Sequence, residues 1–379
     1  MTIAIALALG MFAQSFAYHL RLPGIVMLLL LGMLLGPDGL DLVRPEALGG
    51  GLSVLVGFAI AVILFEGGLN LEWRRLRREA ATIRRLVTAG AIVTWGGAAC
   101  AAHFIMGWDW RLAILFGSLV IVTGPTVVSP LLRRIRVNRN LQTILEAEGV
   151  FIDAVGAILA VVAFEFTYGV DEPSFASAAL HVAARLVTGA AVGAIGGFLA
   201  LVLHRSRRAI PQGMEKVFTL TIAWATFQAS NMLAPESGIT AAVVAGLVVG
   251  NIWTRDTQRL GSLRDFKEQL TVMLIGMLFI LLAASVRVDE ITALGVRGLL
   301  VVAALVLVVR PLQVALCTTG SGLTTREKAF LSWISPRGIV AASVATLFYD
   351  RMQSSGVDGG APVRALVFLV IACTVVLQG

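Results

Sequence analysis

Long apolar stretches separated by short polar segments set the pattern of this chain. The stretches are rich in Leu, Ala, Val and Gly, and most are close to the length of about 20 residues that a helix needs to cross a bilayer. Only helices and closed barrels satisfy their backbone hydrogen bonds in lipid, and uninterrupted apolar runs favour helices. The pattern therefore predicts an all-α polytopic membrane protein with about 13 transmembrane helices. The predicted helices, numbered in chain order, span residues 2–20, 23–36, 48–69, 86–106, 110–132, 141–166, 178–203, 217–233, 238–253, 270–286, 298–317, 329–349 and 363–377.

Charged residues alternate between the connections of these helices. Basic clusters follow odd-numbered helices only, whereas the other connections are acidic or poor in Lys and Arg. Because positively charged loops stay in the cytoplasm, we expect the N-terminus outside and the C-terminus in the cytoplasm. The net charge of +7 then reflects membrane topology, and we expect the lipid bilayer as the partner and no nucleic acid.

Cysteine and histidine give no sign of a cofactor or of catalytic chemistry. The three cysteines lie in three different apolar stretches, and the four histidines show no metal-ligand spacing. We therefore expect no disulfide, no zinc site and no enzyme activity. With no Pro/Ser-rich linker, residues 1–379 are expected to form a single transmembrane domain without a cytosolic regulatory domain.

Predicted helix 6 carries carboxylates inside the membrane, where a charged side chain costs about 2.5–3.5 kcal/mol. Asp153 falls at its middle, and Glu148 lies about 140° around the helix, facing a different neighbour. Glu146 is on roughly the face of Asp153, two turns nearer the cytoplasm. These groups are either neutral, hydrogen-bonded packing residues or a site at which Asp153 binds a cation or a proton. We favour the second interpretation.

Two predicted helices are interrupted at mid-depth by proline. Helix 5 contains the stretch from Thr123 through Gly124 to Thr126, and helix 12 contains Ser335-Pro-Arg-Gly338. Proline removes a backbone donor and clashes with the preceding turn, which frees carbonyls and helix ends. Such discontinuous helices form ion sites in secondary transporters, although a proline kink can also serve packing alone.

A permanent cation within helix 12 needs a partner. Arg337 must meet a carboxylate or carbonyl oxygens, and we expect an ion pair with Glu148. Glu66, at the cytoplasmic end of helix 3, is either a candidate ion entrance, like Glu146, or a cap of the adjoining loop. Arg310 in helix 11 is expected to be structural.

The positions of the two breaks suggest an internal repeat. Helices 5 and 12 are seven apart and cross the membrane in opposite directions, and each precedes the last helix of its half. This is the pattern of an inverted-topology repeat of helices 1–6 and 8–13, with helix 7 between them.

At these motifs the chain resembles the first family of monovalent cation/proton antiporters, the sodium/proton exchanger type. The resemblance covers essentially the whole length, through the motifs Phe65-Glu-Gly-Gly-Leu69, Thr123-Gly-Pro-Thr126, Leu145-Glu-Ala-Glu-Gly-Val-Phe-Ile-Asp153, Glu236-Ser-Gly238 and Ser335-Pro-Arg-Gly338. It implies two crossed, discontinuous helices in a core bundle, here approximately residues 86–166 and 298–377. The remaining helices would form a dimerisation bundle, which makes a homodimer the expected assembly.

The resemblance also implies residue roles. Asp153 would be the ion-binding aspartate, and Thr123, Gly124 and Thr126 would lie around the ion in the helix 5 break. Three positions depart from the family pattern, which often has an aspartate where this chain has Gly124. The family usually has an asparagine at the position of Ile152 and often a serine at that of Gly149.

The function expected from these observations is exchange of a monovalent cation, Na⁺ or K⁺, for H⁺ by alternating access at Asp153. With Glu148 committed to an arginine, one titratable carboxylate remains at the centre, which predicts electroneutral exchange. The alternative is an ion channel or a transport-impaired regulatory membrane sensor of the same fold. A channel needs a continuous polar pore, whereas the polar groups here cluster at one depth.

Overall fold

The structure is a computed structural model that describes residues 1–20, 23–124, 128, 132, 137–168, 175–205, 214–252 and 257–378. All regular secondary structure in these described residues is helical. The first helices are α1 (Thr2–Leu20), α2 (Gly24–Leu35), α3 (Gly50–Asn70), α4 (Trp73–Val87), α5 (Ala89–Ala101), α6 (Trp110–Leu119), α7 (Arg139–Tyr168), α8 (Phe175–Arg205) and α9 (Glu215–Leu233). The rest are α10 (Ser237–Ile252), α11 (Thr257–Ala284), α12 (Val288–Ala293), α13 (Gly295–Ala304), α14 (Arg310–Cys317), α15 (Thr325–Trp333), α16 (Ile339–Ser354) and α17 (Gly360–Gln378).

The helical membrane fold predicted from the apolar pattern is confirmed. Within the described ranges, 8 helical segments are long and apolar enough to cross a membrane. Two π-helical turns, Ala102–Met106 and Leu305–Val309, continue α5 and join α13 to α14, so that each set forms one long apolar segment.

The arginine-rich segment after α3 forms a helix, although the sequence analysis treated it as a connection. Leu76, Ile83 and Leu86 recur on one face of α4 and are buried, whereas its six arginines alternate with them. This amphipathic spacing stabilises a helix that lies with its apolar face on the protein. α4 packs against α7, the helix that carries Asp153.

Both predicted interruptions are present where the structure describes them. α6 ends at Leu119, so Thr123 and Gly124 are outside any helix. α15 and α16 are separated by residues 334–338, because Pro336 has no backbone N–H and restricts the residue before it. The second half of the helix 5 motif, including Thr126, lies outside the described residues.

The helices form two sets, and most contacts lie within each set. α1–α3 and α8–α11 pack mainly against one another, as do α4–α7 and α13–α17. The sets meet chiefly where α7 contacts α8 and α10, and where α11 contacts α16. Asp153 and the nonhelical residues 334–338 therefore belong to the second set.

Candidate ion-binding site

Asp153 is a buried carboxylate in the middle of α7. Only 2% of the residue is exposed, and its Oδ1 atom has no hydrogen-bond partner among the described residues. Removing an anion from water without a compensating partner is strongly unfavourable. Asp153 is therefore expected to be neutralised by a proton or a bound cation.

The nonhelical residues after α6 lie against the face of α7 that carries Asp153. A Cβ atom built on Gly156 would come within 2.6 Å of Val122 Cγ2, so the absence of a side chain lets the two segments touch. Asp153 is three residues before Gly156 and shares its face. The same stretch continues into Thr123, which is 5% exposed, and Gly124. Asp153 therefore lies on the face of α7 that packs against this nonhelical stretch.

Arg337 holds the start of this stretch. Its Nη1 donates to the carbonyl oxygen of Ile121 at 3.1 Å and to that of Val122 at 3.4 Å. The guanidinium thus sits at the C-terminal end of α6, where carbonyl oxygens and the helix dipole favour a cation. The expectation that Arg337 meets either a carboxylate or carbonyl oxygens is met by carbonyl oxygens.

The predicted ion pair between Glu148 and Arg337 is wrong, because Glu148 pairs with Arg310. Arg310 Nη2 donates to Glu148 Oε2 at 3.0 Å, and its Nη1 donates to Oε1. Both residues are at most 3% exposed. Arg310 is also fixed by Gln313 Oε1, 3.0 Å from Nη1. The planar guanidinium of Arg310 binds both oxygens of the Glu148 carboxylate, a geometry typical of such pairs. Arg337 instead donates to the carbonyl oxygens that follow α6.

Arg310 was assigned a structural role in the sequence analysis, yet a signal for this pairing was present. It lies within predicted helix 11, where an arginine needs an acidic or carbonyl partner as much as Arg337 does. Two arginines and one buried glutamate left two pairings, and spacing along the sequence could not choose between them.

The two interruptions touch each other. Gly124 N donates to the carbonyl oxygen of Pro336 at 3.0 Å. A Cβ atom on Gly338 would lie 2.4 Å from Gly124 Cα, a distance that no real contact allows. Glycine at position 338 is therefore required by the close approach of the two backbones.

The polar side chains of α17 complete the second interruption. Ser335 N donates to Gln378 Oε1 at 2.9 Å, and Arg337 N donates to Thr374 Oγ1 at 3.3 Å. These bonds satisfy two backbone donors that the loss of helix frees, which buried polar groups require.

Each of the two candidate ion entrances has a polar or charged neighbour. Glu146 accepts a hydrogen bond from Gln142 Nε2 at 2.9 Å within α7. Glu66 is buried in α3 and interacts electrostatically with Lys267, whose Nζ is 3.5 Å from the centre of the Phe65 ring. Lys267 precedes predicted helix 10 (residues 270–286), but α11 begins earlier than predicted and buries Lys267 to 1% exposure.

Among the described residues, no group of three or more His, Cys, Asp or Glu side chains could hold a metal ion.

Comparison with known proteins identifies the family of the chain. Residues 3–379 match the family described as the transmembrane sodium/hydrogen exchanger. The chain belongs to that family. The resemblance inferred from the sequence motifs is therefore confirmed, and the family is one of transporters rather than enzymes.

Relatives of this exchanger are distant in sequence but cover most of its length. A probable Na⁺/H⁺ antiporter 2 of Methanocaldococcus jannaschii is 22% identical over 93% of this chain and 84% of its own. The K⁺/H⁺ antiporter NhaP of Alkalimonas amylolytica is 24% identical over 100% of this chain and 64% of its own. The structure of the sodium proton antiporter MjNhaP1 of M. jannaschii at pH 8 superposes with a TM-score of 0.86. It has 21% identity and covers 99% of this exchanger and 94% of its own chain, so it establishes the shared fold.

Proposed function

We propose that the chain is a secondary active antiporter that exchanges a monovalent cation, Na⁺ or K⁺, for H⁺ at Asp153. Membership in the exchanger family supports this function, and relatives carry the names of Na⁺/H⁺ and K⁺/H⁺ antiporters. The observation that carries the proposal is the buried Oδ1 of Asp153, which has no hydrogen-bond partner among the described residues and lies on the face of α7 that packs against the nonhelical residues after α6.

The chemistry follows from competition for one carboxylate. A cation and a proton each neutralise Asp153, and neither binds well while the other is present. An empty, ionised carboxylate is costly to move through a low-dielectric interior, whereas an occupied one is not. Exchange by mutual exclusion is the consequence.

Backbone oxygens are the proposed complement to Asp153 in cation binding. Gly124, Gly149 and Ile152 supply no side-chain oxygen at positions where the family often has one. The candidate cation ligands that remain are the hydroxyl oxygens of Thr123 and Thr126, together with the carbonyl oxygens of the nonhelical stretch. We propose that this carbonyl-rich shell sets the selectivity among Na⁺, K⁺ and Li⁺.

The proposed movement uses the two packing sets described above. α4–α7 and α13–α17 form the core bundle, which moves against α1–α3 and α8–α11 to expose Asp153 alternately to each side. The two interruptions are the proposed crossed helices of an inverted repeat, and their contact at Gly124 and Pro336 supports that assignment. A homodimer with its N-terminus outside and its C-terminus in the cytoplasm is the proposed assembly.

The stoichiometry follows from the ion pairs. Because Glu148 is committed to Arg310, Asp153 is the titratable group of the centre. One proton then replaces one cation, and exchange carries no net charge. A steady current on a solid-supported membrane after a cation jump would show that a second group titrates.

Proteoliposome flux tests the proposal. Proton flux is followed with a pH-sensitive dye after additions of Na⁺, K⁺ or Li⁺, for the wild type, Asp153→Asn and Glu146→Gln. We expect Asp153→Asn to abolish cation-dependent flux and Glu146→Gln to retain it. The two variants are matched, because each removes one carboxylate from α7. Undiminished exchange by folded Asp153→Asn would remove Asp153 from the mechanism. Cation flux without counter-transported protons would instead identify a channel.

A further inference from the structure

A groove runs between α4 and α7 on the outside of the helix set that carries Asp153. Its volume is 330 Å³, and its wall is almost entirely apolar. Leu76 and Ile83 of α4 form one side, and Phe151 and Val155 of α7 form the other. Arg77 and Arg84 of α4 also line the groove.

The spacing of residues in α4 produces this shape. Arg77, Ala80 and Arg84 recur at intervals of three and four, which places them on one face of the helix. Ala80 also lines the groove, and its methyl group leaves a gap between the two longer side chains. Both arginines are exposed, and neither makes an ion pair with a residue that the structure describes.

The charge of α4 restricts what can fill the groove. The helix carries six arginines and one acidic residue, Glu79. A second copy of this surface would be repelled, whereas an anion would be attracted. The apolar wall of the groove demands that the anion also carry a hydrocarbon chain. Trp73, half exposed at the start of α4, has the amphipathic ring typical of the membrane–water interface.

We propose that this groove binds one anionic phospholipid, with its phosphate between Arg77 and Arg84 and an acyl chain along Leu76, Ile83 and Phe151. Guanidinium groups bind phosphate oxygens in bidentate fashion, and basic pockets at the ends of membrane helices bind anionic headgroups. The site is separate from the ion site, and its existence does not depend on antiport.

The groove nevertheless reaches the helix that carries the ion-binding carboxylate. Phe151 and Val155 each lie two residues from Asp153, about 200° around α7, so they are on its opposite face. A lipid in the groove supports α7 from behind the site. Occupancy is therefore expected to alter transport as well as stability.

Binding is measured on the full chain in neutral detergent, by native mass spectrometry and by the rise in melting temperature on adding phosphatidylglycerol. Phosphatidylcholine and inorganic phosphate are the comparison ligands. The test variant is Arg77→Gln/Arg84→Gln, and the matched control is Arg74→Gln/Arg78→Gln. The control removes the same charge from two exposed positions of α4 outside the groove. Ala80→Trp fills the gap and leaves every charge in place.

The wild type should retain phosphatidylglycerol in preference to phosphatidylcholine. Each basic residue near a membrane surface contributes about fivefold to binding an anionic lipid, so Arg77→Gln/Arg84→Gln should bind about 30-fold more weakly. The control should bind much closer to the wild type, and Ala80→Trp should lose binding although its charge is unchanged. Any variant whose melting temperature without lipid matches the wild type is a valid test of binding.

Four results would overturn the proposal. Equal losses in the two double variants would mean that diffuse charge attracts lipid without a site. Equal binding of phosphatidylcholine would mean that the headgroup charge is not recognised, and unchanged binding by Ala80→Trp would place the lipid elsewhere. A lipid-free oligomer that dissociates only in Arg77→Gln/Arg84→Gln would assign the groove to a second copy of the chain. Because none of these readouts uses flux, failure of antiport leaves the test intact.

Discussion

The ion pair between Glu148 and Arg310 can be tested by removing its partners singly and together. Arg310 makes five hydrogen bonds, of which two go to Glu148 and three to Gln313 Oε1 and the carbonyl oxygens of Leu331 and Ile334. Arg310→Ala therefore removes both of the hydrogen bonds that Arg310 donates to the buried carboxylate of Glu148. Two hydrogen bonds to a charged group are worth about 1.5–3 kcal/mol each. Their sum of roughly 3–6 kcal/mol brackets the roughly 3–5 kcal/mol typical of breaking a buried pair.

The assay is unfolding in mixed micelles with increasing sodium dodecyl sulfate, which gives the free energy of unfolding for each variant. We expect Arg310→Ala and Glu148→Ala each to lose about 3–5 kcal/mol. The double variant should lose about 2 kcal/mol less than the sum of the two, because the second change removes a charge already stranded. Arg337→Ala serves as the matched control, since it removes a buried arginine whose guanidinium donates to the carbonyl oxygens of Ile121 and Val122.

The comparison of the two arginines decides the outcome. Coupling between Glu148 and Arg337 should stay below about 1 kcal/mol, because no hydrogen bond joins them. If the larger coupling belongs to Arg337, the pairing expected from the sequence is correct and the geometry described here is not. Additive losses for Glu148 and Arg310 would refute the pair altogether.

Three further outcomes are expected. Gly338→Ala should lower the free energy of unfolding by about 1–3 kcal/mol, because the added methyl overlaps Gly124; a melting temperature equal to that of the wild type in detergent would contradict this. Hydrogen bonds from the Thr324 backbone, from Asn138 and from the Thr324 hydroxyl lower the pKa of Glu327 below its ordinary value of 4.5. Its contribution to stability is complete above that ordinary value and is lost as pH falls through the lowered pKa, so Glu327→Gln should flatten the acid side of a melting-temperature profile, and parallel profiles would refute the contribution. Glu146→Gln should leave transport electroneutral on a solid-supported membrane, and a changed charge-to-proton ratio would show that Glu146 titrates during turnover.

Much of the fold follows from physical constraints that act locally. The bilayer imposes a minimum apolar length, and proline imposes a break wherever it interrupts that length. For this reason the helix that contains Asp153 and the interruption at Pro336 could be predicted. The same apolar length places Asp153 in the middle of a buried helix, whereas its role in binding an ion stays a prediction.

The failures of the sequence analysis also have a physical origin. The six arginines of α4 obscure the helical spacing of Leu76, Ile83 and Leu86. The sequence pattern therefore predicts a connection where the structure has an amphipathic surface helix. The partner of Glu148 depends on which arginine reaches it in space. Arg310 and Arg337 are both buried, and the sequence does not show that the side chain of Arg310 is the one that reaches Glu148.

The hydrogen bonds between α17 and the interrupted helix have a mechanical consequence. Gln378 and Thr374 lie one turn apart and hold the backbone amides of Ser335 and Arg337. Withdrawing α17 would strand both buried donors, at about 1–3 kcal/mol each. α17 therefore supports residues 334–338, which lack the hydrogen bonds of a regular helix. If the interrupted helix moves, we expect α17 to move with it, because separating the two would break both hydrogen bonds.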